Sequence, residues 1–224
     1  MSANRGLLIA TALAAVGVYL LMWVGYAGQW AWLAALDDAA LQPLARFGDT
    51  HPGWVTAWNV FCAVLGPAVF RVVTLVLIVV ALLRRRFRVG LFLLLTVELS
   101  AVVTEIAKAL ADRPRPDTAL VTAYGLSFPS GHALGVTVAV LALYVVARPA
   151  LGQRRRAAAL AVGLIVIVAI GVGRVVLNVH HPSDVIAGWA LGYAYVVACL
   201  LAVPPAGRPV RQPDGTPATS GSAR

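Results

Sequence analysis

Gly173-Arg174-Val175-Val176-Leu177-Asn178-Val179-His180-His181-Pro182-Ser183-Asp184 joins two long apolar runs, residues 157–177 and 184–203. It concentrates an arginine, two histidines and an aspartate in a chain that is only 12% charged. Pro182 cannot extend the preceding helix and biases His181 toward extended backbone. His180 is therefore expected at one helix exit, with Ser183 and Asp184 capping the next helix. Polar groups at the mouth of a membrane helix cost desolvation energy, so their presence there calls for a function.

The same reading extends outward along the chain. Mean hydropathy is +0.84 and 60% of the 224 residues are hydrophobic, against roughly 45–50% in soluble domains. Six runs reach the length a bilayer requires: about 7–27, 58–83, 89–110, 130–147, 157–177 and 184–203. The expected fold is all-α, a polytopic bundle of six transmembrane helices forming one membrane domain over residues 1–203. The first run is longer than a signal-peptide core and is read as an uncleaved span. Between it and the second run, residues 28–57 and the adjoining Trp58 bring together Trp30, Trp32, Trp54 and Trp58 with Asp37, Asp38 and Asp49. That composition suggests an interfacial loop with a short helix along the headgroups. Residues 204–224, rich in Pro, Gly, Ser and Thr, read as a disordered cytoplasmic tail. Cys62 and Cys199 have no metal-type spacing.

The net charge of +9 does not point to nucleic acid. The basic residues sit in short clusters between apolar runs, which fits topology signals and contact with anionic lipid headgroups of a bilayer. Arg84-Arg85-Arg86-Phe87-Arg88 and Arg148 with Arg154-Arg155-Arg156 mark the cytoplasmic side, which places both termini inside. By parity, the end of span three, the start of span four, the end of span five and the start of span six then meet on the outer face. Those four ends carry the remaining unusual polar residues.

At the first of them stands Lys108, the only lysine among 18 basic residues, followed by Arg115 and Pro116. An ammonium and a planar guanidinium suit phosphate oxygens. At the second, Phe128-Pro129-Ser130-Gly131-His132 opens a helix whose unpaired N–H groups form a natural anion site. Gly131 allows close approach of an anion, Ser130 offers a hydroxyl, and His132 lies in the first turn. At the last two, Asp184 can accept the Nδ1 proton of His180 and leave Nε2 free as a nucleophile, while Arg174 offers another bidentate phosphate contact. Three cations, a helix N-terminus, two histidines and a carboxylate make a site for transferring a phosphoryl group through histidine. One histidine would attack phosphorus and the other protonate the leaving alkoxide. A metal site built from His132, His180, His181 and Asp184 is the competing reading, and three converging cations disfavour it.

Lys108-x6-Arg115-Pro116, Pro129-Ser130-Gly131-His132 and Arg174-x5-His180-x3-Asp184 resemble, in order and spacing, the three signature motifs of the type 2 phosphatidic acid phosphatase superfamily. The resemblance implies hydrolysis of a phosphomonoester or diphosphate with no metal or other cofactor, through a phosphohistidine. It implies His180 as nucleophile, His132 as general acid and Asp184 as orienting carboxylate. Phosphate contacts would fall to Lys108, Arg115, Ser130, Gly131 and Arg174. One departure is Gly173, where the family usually has serine, so reduced or altered binding is expected there.

The substrate class expected is a membrane lipid phosphate: a polyprenyl diphosphate such as undecaprenyl diphosphate, phosphatidic acid or phosphatidylglycerol phosphate. The setting expected is a multi-pass protein of the plasma membrane with an extracytoplasmic site. A phosphotransferase using a lipid or sugar acceptor is the alternative enzyme. A non-catalytic flippase or lipid-binding protein would have no need of the His180–Asp184 pair. Arg71 and Glu98, roughly 19 Å and 15 Å from the Arg84–Arg88 cluster at ~1.5 Å per residue, are expected to pair across spans two and three. Asp112, Arg113 and Asp117 read as a solvated rim, and His51 and His181 as spectators.

Overall fold

The computed structural model describes residues 2–205, with side chains from Arg5; most of the expected tail lies outside the described residues. Nine α-helices follow one another among these residues: α1 Ser2–Ala27, α2 Ala31–Thr50, α3 Pro52–Val64, α4 Pro67–Leu83, α5 Phe87–Leu93, α6 Ser100–Ala111, α7 Gly131–Ala147, α8 Gln153–Val176 and α9 Pro182–Ala202. Six helical stretches are long and apolar enough to cross a membrane: Arg5–Ala27, Pro52–Leu83, Phe87–Ala111, Gly131–Ala150, Gln153–Val176 and Pro182–Ala202. The molecule is an all-helical, multi-pass membrane protein.

The centre of the bundle is α7. Its Gly-Ala-Val-Leu sequence is apolar on every side, as a helix surrounded by others must be. Residues Ala133 to Ala139 are all buried along it. Helices α4, α6, α8 and α9 pack around it. Lipid tails are as apolar as leucine, so helix association here depends on close packing rather than on burial from water. Gly188 and Gly192, one turn apart on α9, supply that closeness. A Cβ on Gly188 would meet the Ser130 carbonyl at 2.7 Å, and one on Gly192 the Leu134 carbonyl at 3.0 Å. The approach holds the first turn of α9 beside the first turn of α7. Outward-facing valines and leucines of α4, such as Val72, Val76 and Leu83, remain exposed and fit a lipid-facing surface.

Two elements differ from the sequence expectation. The segment between the first two spans is not an interfacial loop with a short helix: α2 is a 20-residue helix. Leu33, Asp37, Leu41, Ala45 and Gly48 form its buried stripe, at the spacing of one helical face. The tryptophans drew attention to the opposite face, where Trp32 is exposed. The second span begins at Pro52 rather than near Trp58 and is broken at Leu65–Gly66. Gly66-Pro67 explains the break, since Pro67 is tolerated only at the start of the new helix.

The third span contains a π-helical stretch, Leu94–Glu98, between α5 and α6. The expected Arg71–Glu98 pair does not form. Glu98 instead accepts a hydrogen bond from the Thr74 hydroxyl at 2.6 Å. A neutral hydroxyl satisfies this carboxylate without bringing a second charge into the apolar zone.

Candidate active site

Helix α6 stops at Asp112, which takes the left-handed conformation at φ 48°, and the chain then runs as a loop to Ser130. This loop, the ends of α3, α6 and α8, the start of α7 and the turn between α8 and α9 enclose a cavity of about 430 Å³. Its walls carry Lys108, Arg115, Gly131, His132, Arg174 and His180. Six of the eight sequence-singled residues thus share one pocket. Among the described residues no aspartate or glutamate lines it, and its wall cations give it a positive field.

The other two stand behind the wall. Ser130 is fully buried, and its hydroxyl accepts a bond from the Ala133 N–H at 3.4 Å as the N-cap of α7. Its own N–H is held by the Asp184 carbonyl at 2.9 Å. Gly131 comes next, with Thr104 and the Lys108 ammonium against its Cα. A Cβ there would lie 3.3 Å from Thr104 Cγ2 and 3.9 Å from Lys108 Nζ. The α7 N-terminus and Lys108 therefore face the same space. Lys108 also bonds Glu105 at 3.1 Å, one turn earlier on α6.

His180 is 2% exposed. Its Nε2 lies 3.1 Å from Arg115 Nη1. A guanidinium only donates, so this contact requires the lone pair on Nε2 and places the proton on Nδ1. That is the tautomer with a nucleophilic Nε2. Burial pushes the His180 pKa down to about 4, against the pull of the Asp184 carboxylate and with the help of Arg115 and Arg174. The ring is neutral at pH 7. Arg115 is also half-buried in the loop, where its guanidinium donates to the carbonyls of Val179 at 2.8 Å, Gly125 at 3.1 Å and Tyr124 at 2.8 Å. Burial lowers its pKa as well, opposed by Asp184 and Glu105.

Asp184 Oδ2 stands 3.6 Å from His180 Nδ1, beyond an ordinary hydrogen bond. Ser127, which the sequence reading did not single out, sits beside both. Its hydroxyl donates to Asp184 Oδ2 at 2.5 Å and lies 3.4 Å from His180 Nδ1, which carries the proton. His181 is not a spectator. Its N–H donates to Asp184 Oδ2 at 2.8 Å and its Nδ1 lies 3.1 Å away.

Arg113 is not part of a solvated rim either. It is 7% exposed, and its Nη1 donates to Asp184 Oδ1 and Ser183 Oγ at 2.8 and 2.7 Å. Its Nη2 donates to Asp37 on α2 at 2.8 Å. Asp37 also accepts the Ser183 N–H at 2.9 Å and its hydroxyl at 2.6 Å. The carboxylate behind His180 is thus anchored to α2 through a buried, fully bonded charge network. The signals were present but weak: Ser127 stands one residue before the quoted motif, and Arg113 repeats the Arg-Pro of Arg115-Pro116.

Arg174 is 8% exposed, and its Nε has no hydrogen-bond partner among the described residues. Its neighbour Gly173 packs under Cys62 and Trp58, where a Cβ would come within 2.6 Å of Cys62 Sγ and 2.9 Å of Trp58. The room a serine side chain would need at 173 is filled by a thiol and an indole.

Residues 89–208, more than half of the chain, match the family model described as the PAP2 superfamily. Similar proteins include "Phosphatidylglycerophosphatase B" of Bacillus subtilis, 34% identical over 46% of this chain and 52% of that protein. "Decaprenylphosphoryl-5-phosphoribose phosphatase" of Mycobacterium tuberculosis is 30% identical over 69% of this chain and 73% of its own. "Undecaprenyl-diphosphatase" of Sulfolobus acidocaldarius is 30% identical over 49% and 52%. The chain thus spans about half the length of the Bacillus and Sulfolobus relatives. The crystal structure of a transmembrane PAP2 type phosphatidylglycerolphosphate phosphatase from Bacillus subtilis superposes with a TM-score of 0.73 at 21% identity, over 84% of this chain and 94% of that one. That likeness is one of fold.

Proposed function

This chain belongs to the PAP2 superfamily, and on that premise we propose that it is a membrane lipid phosphatase working through a phosphohistidine at His180. The observation that carries the reading is the pocket itself. Lys108, Arg115 and Arg174 face a neutral, buried His180, and among the described residues no carboxylate shares the wall and Arg174 Nε has no partner. A phosphate group supplies what these donors lack.

In the proposed reaction the phosphate oxygens take the Arg115 guanidinium away from His180 Nε2 and settle among Lys108, Arg115, Arg174 and the first N–H groups of α7. Nε2 attacks phosphorus and the bond to the lipid oxygen breaks. His132, held as an imidazolium by the negative charge of the bound phosphate, gives its proton to that leaving oxygen and becomes neutral. The imidazolium formed on His180 keeps its Nδ1 proton, bonded through Ser127 toward Asp184, whose negative charge stabilises it. Water then attacks the phosphohistidine, His132 takes the water's proton, and phosphate leaves. Cationic side chains meet the charge on the transferring group, in place of a metal ion. Ser130 acts by capping α7 rather than by touching phosphate.

The arginine clusters at residues 84–88 and 154–156 support a cytoplasmic location for the helix ends opposite the pocket. They therefore support an extracytoplasmic site in a plasma membrane, with both termini inside. The relatives' names support a lipid phosphate as substrate: a polyprenyl diphosphate, phosphatidic acid or phosphatidylglycerol phosphate. The test is phosphate release by purified protein in detergent with EDTA, on a panel of these lipids, beside His180→Ala. Release that persists in EDTA and vanishes in the variant supports the proposal. Release that EDTA abolishes, or that His180→Ala retains, contradicts it.

A further inference from the structure

A second cavity, of about 510 Å³, adjoins the catalytic one. The two share Ala63, Lys108, Gly131 and His132, so His132 stands where they meet. From there the second cavity runs between the α3–α4 break and α6 to Arg71 and Glu105. Arg71 is half-buried on α4, a helix otherwise made of apolar residues and one threonine. It makes no ion pair and its side chain donates no hydrogen bond among the described residues. Glu98 on the facing span is engaged by Thr74 at 2.6 Å, and Glu105 by Lys108 at 3.1 Å. The cavity wall is mainly apolar, and an unpaired charged group within a membrane span that opens onto such a cavity marks a path for substrate rather than a structural bond.

Direction follows from the proposed reaction, on which this inference rests. His132 protonates the leaving oxygen, so whatever the leaving group carries next enters the cavity that begins at His132 and ends at Arg71. We propose that Arg71, with Lys108, forms a second anion subsite that selects lipids bearing a further phosphate on the leaving-group side of the scissile phosphorus. That phosphate has two chemical sources: the inner phosphate of a diphosphate, or a phosphodiester separated from the scissile group by a short polyol. Both present the same oxygens to a guanidinium fork. A lipid monophosphate leaves the Arg71 end of the cavity without a charge to meet.

The experiment measures kcat/KM in detergent micelles for two substrate pairs. One is farnesyl phosphate and farnesyl diphosphate; the other is dioleoyl phosphatidate and dioleoyl phosphatidylglycerol phosphate. Wild type, Arg71→Gln and Arg71→Lys are compared by the ratio of two-phosphate to one-phosphate substrate, which does not depend on the folded fraction of a preparation. The expected result is a wild-type preference for the two-phosphate member of at least one pair. Arg71→Gln lowers it by about tenfold or more, the scale of a lost charge-assisted bond, and Arg71→Lys restores part of it. The responding pair identifies the spacing of the two phosphates. Ratios unmoved in an active Arg71→Gln protein overturn the subsite and leave the phosphatase reading intact. Loss of all activity in both variants overturns it too, by making Arg71 structural. A wild type inactive on all four lipids overturns both.

Discussion

His180 Nδ1 and Asp184 Oδ2 lie 3.6 Å apart, with the Ser127 hydroxyl 3.4 Å from the first and 2.5 Å from the second. The orienting carboxylate therefore reaches the histidine mainly through a hydroxyl, while its other lone pairs are taken by Arg113 and His181. Holding a carboxylate from several sides fixes its position more tightly than one bond to the histidine could.

Ser127→Ala removes the bridging hydroxyl without disturbing the cations of the pocket. We expect kcat to fall roughly 10- to 100-fold with KM within a few-fold, and Asp184→Asn to cost more, up to about 10⁴-fold. Steady-state kinetics on one lipid phosphate decides it. A change under about twofold in Ser127→Ala would mean that His180 and Asp184 close their gap directly.

The depressed pKa of His180 makes stability depend on pH. Below the ordinary value of 6.5 the unfolded chain takes up a proton on this side chain, whereas the folded one resists until about pH 4. More protons bound in the unfolded state means that stability rises with pH across this window and is lost as pH falls through it. Between pH 6.5 and 5 the contribution is about 2 kcal/mol. The apparent Tm of wild type should thus fall more steeply from pH 7 to 5 than that of His180→Gln. Parallel slopes would show that His180 titrates normally.

Asp37 lies on a helix with no residue lining the pocket, yet it holds Arg113 and both polar groups of Ser183. Asp37→Ala leaves a buried guanidinium short of a partner and should destabilise the fold by about 3–5 kcal/mol. Asp37→Asn, which keeps an acceptor, should cost less. Thermal melting of the two variants, with kcat alongside, tests the ordering. An Asp37→Ala protein as stable as wild type would remove α2 from the account.

Gly173 and Cys62 should behave as a coupled pair. Gly173→Ser forces an atom into contact with Cys62 Sγ and the Trp58 ring, an overpacking that costs about 1–3 kcal/mol. Adding Cys62→Ala to Gly173→Ser should recover part of that loss. Additive effects in a double-mutant cycle of apparent Tm would show that the thiol does not occupy the serine's place.

Much of this was legible in the sequence because membrane proteins declare their spans by length and apolarity. The residues that line the pocket declare themselves by being charged or basic where everything around them is not: Lys108, Arg115, His132, Arg174 and His180. The break at Gly66-Pro67 was not read, and the second span was expected as one run over 58–83. Ser127 and Arg113 were only weakly marked in the sequence and Asp37 not at all, for a physical reason. Each acts behind another residue, from loops or a neighbouring helix, and nothing in chain spacing records that Asp37 and Ser183, 146 positions apart, share hydrogen bonds. Arg113 looked like a solvated charge because pairing, not composition, lets an arginine be buried. The Arg71–Glu98 expectation failed because a nearby threonine satisfied the glutamate first.

In the proposed reaction His180 Nε2 becomes bonded to phosphorus. The direct measurement is to mix the protein with a lipid phosphate, quench within a turnover into alkali, where a phosphoramidate survives, and map the phosphorylated residue by mass spectrometry with EDTA present throughout. The expected result is phosphate on His180, transient in wild type and absent in His180→Ala. Steady turnover with no phosphate on His180 at any time, or phosphate on His132 instead, would contradict it.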